Sequence, residues 1–503
     1  MNADTPREGL LRVLGPGGAT AIVVGGTIGA GIFFKANVIA QALGRFDLIL
    51  LVWLVCGLVS LCGALTVAEL AALMPHAGGQ YVYLRQAYGP LAGFLWGWGE
   101  FWVLRTGSIA ALAVAFANAF QRSASGWLAS HHWLVPLQED PSQLVISGDW
   151  TIGAVWVPRL VAIMAILLLT MVNIVGARWG GLVQNITTIL KAATLAALIL
   201  LPFVTGQVDH THLSSRWHPA EQPGIWAGFA AAMTAAFWAY DGWANVSLVS
   251  EEVRDPQRNL PLALALGTLI LIILYVCVTI GYHVTLPMAE IAASKFVAAT
   301  ACELTLGNHG AAIASAAVMI STFGALNTNL LCGPRVIFAM ARHRLFLAPF
   351  ASIHPRFRTP YAAICAEASW AIALICGGNL LKYVQAPQWL QSWPAWLATP
   401  LTKSLNQMRG KELFDVLTDY VIFGSFIFYL LSVAAVFVLR RREPDRPRPY
   451  RTWGYPLVPI LFVGISSCFL AGMLITAPIE ALAGLAFITL GATAYQFRSQ
   501  AIN

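Results

Sequence analysis

Residues 259 to 285 read "NLPLALALGTLILIILYVCVTIGYHVT" without one Asp, Glu, Lys or Arg. A helix crosses the hydrocarbon of a bilayer with about 20 apolar residues, and runs of this kind recur along the whole chain. Twelve spans are predicted, at residues 16–36, 47–73, 89–120, 158–176, 181–205, 225–250, 259–285, 303–341, 360–380, 414–439, 453–473 and 477–496. Hydrophobic side chains make up 58% of the 503 residues and charged ones 11%, where soluble globular domains carry about 25% charged. The chain is read as an all-α integral membrane protein. Its first run is too long, too broken by glycine and too poor in a small-residue cleavage pattern to be a secretory signal, and is expected to stay in the mature chain.

With a cytoplasmic N-terminus, inner segments hold 17 of the 30 Lys and Arg, outer loops 9, and Arg105, Arg159, Lys191 and Arg335 lie in or at the edge of spans. The positive-inside rule favours that orientation, with both termini cytoplasmic. The basic run "RRREPDRPRPYR" (Arg440 to Arg451) reads as a topology anchor, so the net charge of +7 implies an orientation and no nucleic-acid partner. All eight cysteines fall in or beside apolar spans, which implies no disulfide framework and no C-x-x-C metal site. His210 and His212 are read as part of a solvated outer loop. No metal and no cofactor is expected, and the H-E-x-x-H, G-x-S-x-G and P-loop patterns of enzymes are absent.

The stretch "VVGGTIGAGIFFK" (Val23 to Lys35) places Gly25, Gly26, Gly29 and Gly31 inside the first span. Each glycine weakens a helix by about 1 kcal/mol relative to alanine, so four together interrupt one. Non-helical chain at membrane depth survives only where it lines a protein cavity. A second interruption is predicted in the sixth span, where Asp241 and Gly242 stand between Phe237 and Trp243. Discontinuous helices at matching places in two half-chains point to the substrate site of a transporter built from inverted repeats. The plainer alternative is close helix packing through small residues, and Gly25 and Gly29 have the spacing for it. At a break, freed N–H groups and the helix dipole favour a carboxylate, while freed carbonyls favour an ammonium group. A cavity with both poles suits a zwitterionic amino acid.

The motifs here resemble a known family. "GGTIGAGIFF" is similar to the first-helix motif of the amino acid, polyamine and organocation transporters, and "FWAYDGWANVSLVSEEVRDPQRNLPLAL" (Phe237 to Leu264) resembles the sixth-helix motif of its L-type amino acid transporter branch. "AELAALMPHAGGQYVYLRQAYGP", "NIVGARWGGLVQNITTILK" and "STFGALNTNLLCGPRVIFAMAR" followed by "HPRFRTP" resemble the loop after the second helix, the fourth and fifth helices, and the eighth helix with its inner loop. The resemblance covers most of residues 15–380 and implies a LeuT-type fold. In that fold an N-terminal segment (1–15) precedes one five-helix repeat (16–205) and an inverted second (225–439, with an outer insertion at 381–413), and two further helices fill 440–503. Carried over by position, Gly29, Ala30 and Gly31 would give N–H groups to the substrate carboxylate. Ile28, Trp238 and Asp241 would give carbonyls to its amino group, Ala239 and Ala244 would complete the wall, and Trp238 would be the aromatic gate.

Lys191 lies about ten residues into the fifth span, where a lysine costs about 2.5–3.5 kcal/mol to insert and is by default functional. The resemblance implies that its ammonium replaces a sodium ion, contacting the Gly29 region and the hydroxyls of Ser321 and Thr322. Sodium would then be unnecessary, leaving an exchanger or a proton-coupled carrier. The Asp241 side chain either binds a cationic substrate or caps the restart of helix 6; capping is favoured, and neutral substrates with it. Glu100 and Arg105 either pair or act separately, and Glu251, Glu252, Arg254 and Arg258 read as a charged gate hinge. Three features depart from the family pattern: Ala244 stands where asparagine is usual, the outer loop between helices 3 and 4 has no cysteine for a disulfide-linked heavy chain, and the insertion at 381–413 is long. A chain working alone in a bacterial inner membrane, with lipid and amino acid as its partners, is expected. Enzyme activity is not, and a non-transporting amino acid sensor remains an open alternative.

Overall fold

A computed structural model describes residues 10–130, 134–136, 144–146, 153–217, 224–377, 389, 392–394, 402, 413–476 and 478–502. Apart from a ribbon pairing Leu134–Pro136 with Leu144–Ile146, the described elements are helices. Nine stretches among the described residues are long and apolar enough to cross a membrane, and three shorter apolar helices (Ile225–Tyr240, Val297–Leu306 and Tyr361–Gly377) accompany them. The insertion at 381–413 lies almost wholly outside the described residues.

The chain opens with α1 (Pro16–Thr27), whose proline at the first turn needs no N–H partner. After a gap come α2 (Gly31–Phe34) and α3 (Ala36–Leu43), closed by Gly44 at φ +59°. Next are α4 (Phe46–Leu73), α5 (Gln80–Tyr88), α6 (Pro90–Gly99) and, after a π-helical turn at Glu100–Leu104, α7 (Arg105–Ser130). Then follow α8 (Gly153–Val175) and α9 (Ala177–Thr205). The second half runs through α10 (Ile225–Tyr240), α11 (Asn245–Leu248), α12 (Pro256–Thr285), α13 (Met288–Ala293), α14 (Val297–Leu306), α15 (Gly310–Cys332), α16 (Pro334–Arg342) and α17 (Tyr361–Gly377). The last helices are α18 (Leu413–Arg442), α19 (Leu457–Thr476) and α20 (Pro478–Ile502).

Three predicted runs are divided. The first stops at Thr27 and resumes at Gly31. The sixth unwinds at Asp241, so only its first part is a helix of length. The eighth, predicted at 303–341, begins at Gly310, because Gly307 at φ +66° ends α14 and starts a new direction. The most extensive packing joins α4 to α12 and α7 to α15. Each pair takes one helix from either half of the chain. Leucine, isoleucine and methionine on α8, α9 and α12 stay exposed, as a lipid-facing rim requires, while α1 and α7 are mostly buried at the centre.

Candidate substrate site

The two interruptions meet at the centre. Helix α1 ends at Thr27, and Ile28, with ψ +86°, leaves the helical region. Helix α10 ends at Tyr240; Asp241 is extended, and Gly242 takes φ +111°, a conformation open to glycine and strained for other residues. A methyl group on Gly242 would lie 3.2 Å from the carbonyl oxygen of Gly26, and one on Gly31 would lie 2.6 Å from the Cα of Ala239. The glycines thus let the two unwound segments cross in contact. The Tyr275 hydroxyl sits 3.1 Å from the Thr27 carbonyl and 2.9 Å from that of Ala239, sharing its hydrogen between the ends of both broken helices.

Freed backbone groups collect here. No backbone carbonyl among the described residues accepts from the amides of Ala30, Gly31 or Ile32, whereas the Gly29 amide donates to Thr27 at 2.7 Å. The Gly26 carbonyl accepts from no backbone amide of the described residues. Between them is a cavity of about 30 Å³, lined among others by Gly26, Ala30, Gly31, Trp238, Asp241 and Asn245. That volume takes one or two waters, so the conformation is contracted, and an amino acid would need its walls to part. Trp238 is 8% exposed and forms one of those walls.

Behind the break, Lys191 is 1% exposed. Its ammonium donates to the carbonyls of Gly25 at 2.5 Å and Ile28 at 2.7 Å. Ser321 donates to the carbonyls of Ile28 at 3.1 Å and Gly29 at 2.9 Å. The Lys191 side chain and a hydroxyl therefore hold the unwound turn, and the Ile28 carbonyl is taken by both rather than left for an amino group. Thr322 does not join them. Its hydroxyl donates to Val318 in its own helix, because neighbours on a helix point about 100° apart and only one of two can face α1.

Asp241 does not cap the restarted helix. Helix α11 begins after Ala244 with no side-chain cap, while the Asp241 carboxylate accepts from the Tyr429 hydroxyl at 2.6 Å and lines the cavity. The reason is the extended backbone at Asp241, which sets its side chain four positions ahead of the helix. Ala239 and Ala244 are buried but do not line the cavity. Sequence reading missed Ser108, Asn245 and Asn329, which do; polar residues inside apolar spans were the available signal.

On the face that carries the N-terminus, the site is closed by a layered polar gate. Arg105 donates to Glu100 at 2.7 Å, to Asn329 at 2.6 Å and to Asn245 at 3.1 Å. The five-residue separation of Glu100 and Arg105 puts them on different faces of an α-helix; the π turn between them, with its wider i→i+5 spacing, brings them together. Farther out, Arg335 and Glu252 form a buried pair at 2.7 Å, and Arg342 reaches Glu251 at 3.3 Å. The amides of Val13 and Leu14 donate to the Glu252 carbonyl at 3.0 Å, and that of Arg254 returns to Leu14 at 2.8 Å, so the entrance of α1 is stitched to the end of the second broken helix. Of the four residues read as a charged hinge, Glu251 and Glu252 take part through the ion pairs and Glu252 and Arg254 through the backbone bonds, while the Arg258 amide donates to the Asp255 carbonyl at the start of α12. At its edge the Tyr81 hydroxyl pairs with His343 at 3.0 Å; partial burial, with Arg85 and Arg342 nearby, lowers the basicity of that imidazole.

Residues 14–492 match the family model described as amino acid permease. The chain belongs to the amino acid permease family. Among curated relatives, the permease is 29% identical to the serine/threonine exchanger SteT of Bacillus subtilis over 475 residues, covering 94% of this chain and 93% of SteT. It is 30% identical to the human large neutral amino acids transporter small subunit 2 over 489 residues, covering 97% of this chain and 80% of that protein. It is 27% identical to the human b(0,+)-type amino acid transporter 1, covering 93% and 84%. The permease is thus a multi-pass membrane transporter of amino acids, similar along nearly its full length to one relative named as an exchanger and to others named as amino acid transporters. Its two broken helices, Lys191 and the polar gate all fall inside the matched region.

Proposed function

We propose that this permease moves small or neutral L-amino acids across the plasma membrane without sodium, by alternating access and as an exchanger. The observation that carries the reading is the crossing of two unwound segments with Lys191 anchored behind one of them. The free amides of Ala30, Gly31 and Ile32 receive the carboxylate, with the positive end of the following helix behind them. The Gly26 carbonyl and the Asp241 carboxylate receive the ammonium. Trp238 covers the substrate from the face opposite the N-terminus, and the Arg105 and Arg335 layers close the other. Lys191 and Ser321 occupy the place where a coupling cation would brace the break, so the cycle needs none. The reading includes twelve spans arranged as two inverted five-helix repeats plus two, supported by the α4–α12 and α7–α15 pairing, and both termini in the cytoplasm, supported by the arginine distribution.

The names of SteT and of the large neutral amino acids transporter favour neutral side chains. Asp241 favours a second substrate class: a carboxylate that lines the cavity and is not spent on capping also suits a cationic side chain. Counterflow decides both points. Purified protein in sodium-free proteoliposomes preloaded with unlabelled serine, leucine or arginine is expected to take up labelled amino acid at least about tenfold faster than empty vesicles. Equal uptake into loaded and empty vesicles would contradict exchange, binding without any uptake would indicate a sensor, and a requirement for sodium would contradict the role of Lys191.

A further inference from the structure

Beside the gate lies a carboxyl group with no donor among the described residues. Glu367, on α17, is 0% exposed, and neither of its oxygens has a hydrogen-bond partner among the described residues. Two donors nearby are equally unused, Nε of Arg105 and Nη1 of Arg335. Gly333 explains how the groups come so close: a methyl there would lie 2.5 Å from Glu367 Oε2 and would strike the Arg105 side chain. The missing side chain at 333 is what lets the guanidinium and the carboxyl share one space.

Charge balance then restricts Glu367. Arg105 is matched by Glu100 and Arg335 by Glu252, so these four groups cancel. The charges acting on Glu367 are those of Arg105, Glu100 and Arg335, while the Cys332 thiol and Asp241 act on the same Arg105 from other elements. An ionised Glu367 would add a buried negative charge to which none of the described residues donates, an unfavourable arrangement in a low-dielectric interior. The carboxylic acid avoids it.

We propose that Glu367 is a proton-binding site of the transport cycle, protonated while Arg105 ties Asn245 to Asn329 and deprotonated when that tie opens. The tie spans α11 and α15, and an opening on the N-terminal face that carries α11 away removes the Asn245 acceptor. Arg105 then turns its unused Nε–H to Glu367. The carboxyl O–H bond breaks, its proton passes to water entering from that face, and the new carboxylate is held by Arg105. Closing reverses each step. The shut gate is therefore the protonated state, and this deepens the exchanger reading on which it rests.

The test is the pH dependence of sodium-free exchange, together with the infrared carbonyl band of a protonated carboxylic acid in the purified protein. Wild-type exchange is expected to rise with pH by no more than about tenfold per unit, the limit for one proton. Glu367→Gln, fixed in the neutral form, is expected to stay at the acid-limb rate at every pH and to lose the band. Glu367→Asp should keep both the pH slope and a shifted band. A pH-independent wild type, or a Gln variant that keeps the wild-type slope or band, overturns the inference. A wild type that does not exchange at all overturns the transport reading instead, and the band of the purified protein, compared between wild type and Glu367→Asp, still decides whether Glu367 carries a proton.

Discussion

Lys191 shows how one residue holds a whole geometry. An ammonium fully inside protein is tolerated because the Gly25 and Ile28 carbonyls replace its water, and those carbonyls are available only because the helix stops there. Lys191→Ala leaves the buried Gly25 carbonyl without its donor at about 1–3 kcal/mol, while Ile28 keeps Ser321; sodium-free exchange is expected to fall by more than about tenfold and the melting temperature of detergent-purified protein to drop. Gly31 is the complementary case. A methyl group 2.6 Å from the Ala239 backbone pushes the two breaks apart, so Gly31→Ala is expected to cost about 1–3 kcal/mol and to abolish uptake while the protein still inserts, as surface labelling can show. Both residues were legible in the sequence, because a lone charge or a cluster of glycines in an apolar span has few other uses. Thr322 and Ile28 were not: which of two adjacent hydroxyls faces α1, and which carbonyl the lysine takes, depend on helix rotation and on the course of the unwound turn. Asp241 was misread as a cap because its spacing permits capping, and only the extended backbone sends it to Tyr429.

At the scale of elements, the broken helices themselves could be read from glycine and aspartate positions, but their partners could not. Arg335 and Glu252 stand 83 positions apart and Arg105 and Asn329 stand 224 apart, and no local pattern announces such pairs. The gate they form makes a direct prediction. Arg335→Ala leaves Glu252 buried without its partner, which costs about 3–5 kcal/mol and favours conformations open on the N-terminal face. Cys332, buried next to this layer, is expected to react several-fold faster with a membrane-permeant maleimide in Arg335→Ala than in the wild type; unchanged labelling would show that the pair does not hold the gate. Glu100 and Arg105 illustrate a subtler limit. Their spacing of five left pairing undecided, and it is the π turn between them, which that spacing does not announce, that decides it.

For the whole molecule, hydropathy was sufficient for the class and for most spans, since each apolar run is itself the physical cause of membrane insertion. It was insufficient at Gly307 and Asp241, where a run that reads as continuous changes direction. It also gave no sign of how the C-terminal helices are tied on: Glu69, inside α4, accepts from Arg440 at 2.6 Å and from Thr452 at 2.8 Å, with Arg448 at 3.2 Å. Glu69→Ala strands those arginines and is expected to lower the melting temperature in detergent more than any substitution on the exposed lipid-facing rim, with exchange lost through instability. The central claim is that both ends of a free amino acid are gripped by backbone freed at the two breaks. Competition against labelled substrate in sodium-free proteoliposomes tests it most directly, using one transported amino acid, its methyl ester and its N-acetyl derivative. The free amino acid is expected to compete, and each derivative, having lost one pole, to compete at least about a hundredfold more weakly. Equal competition by either derivative would contradict the account.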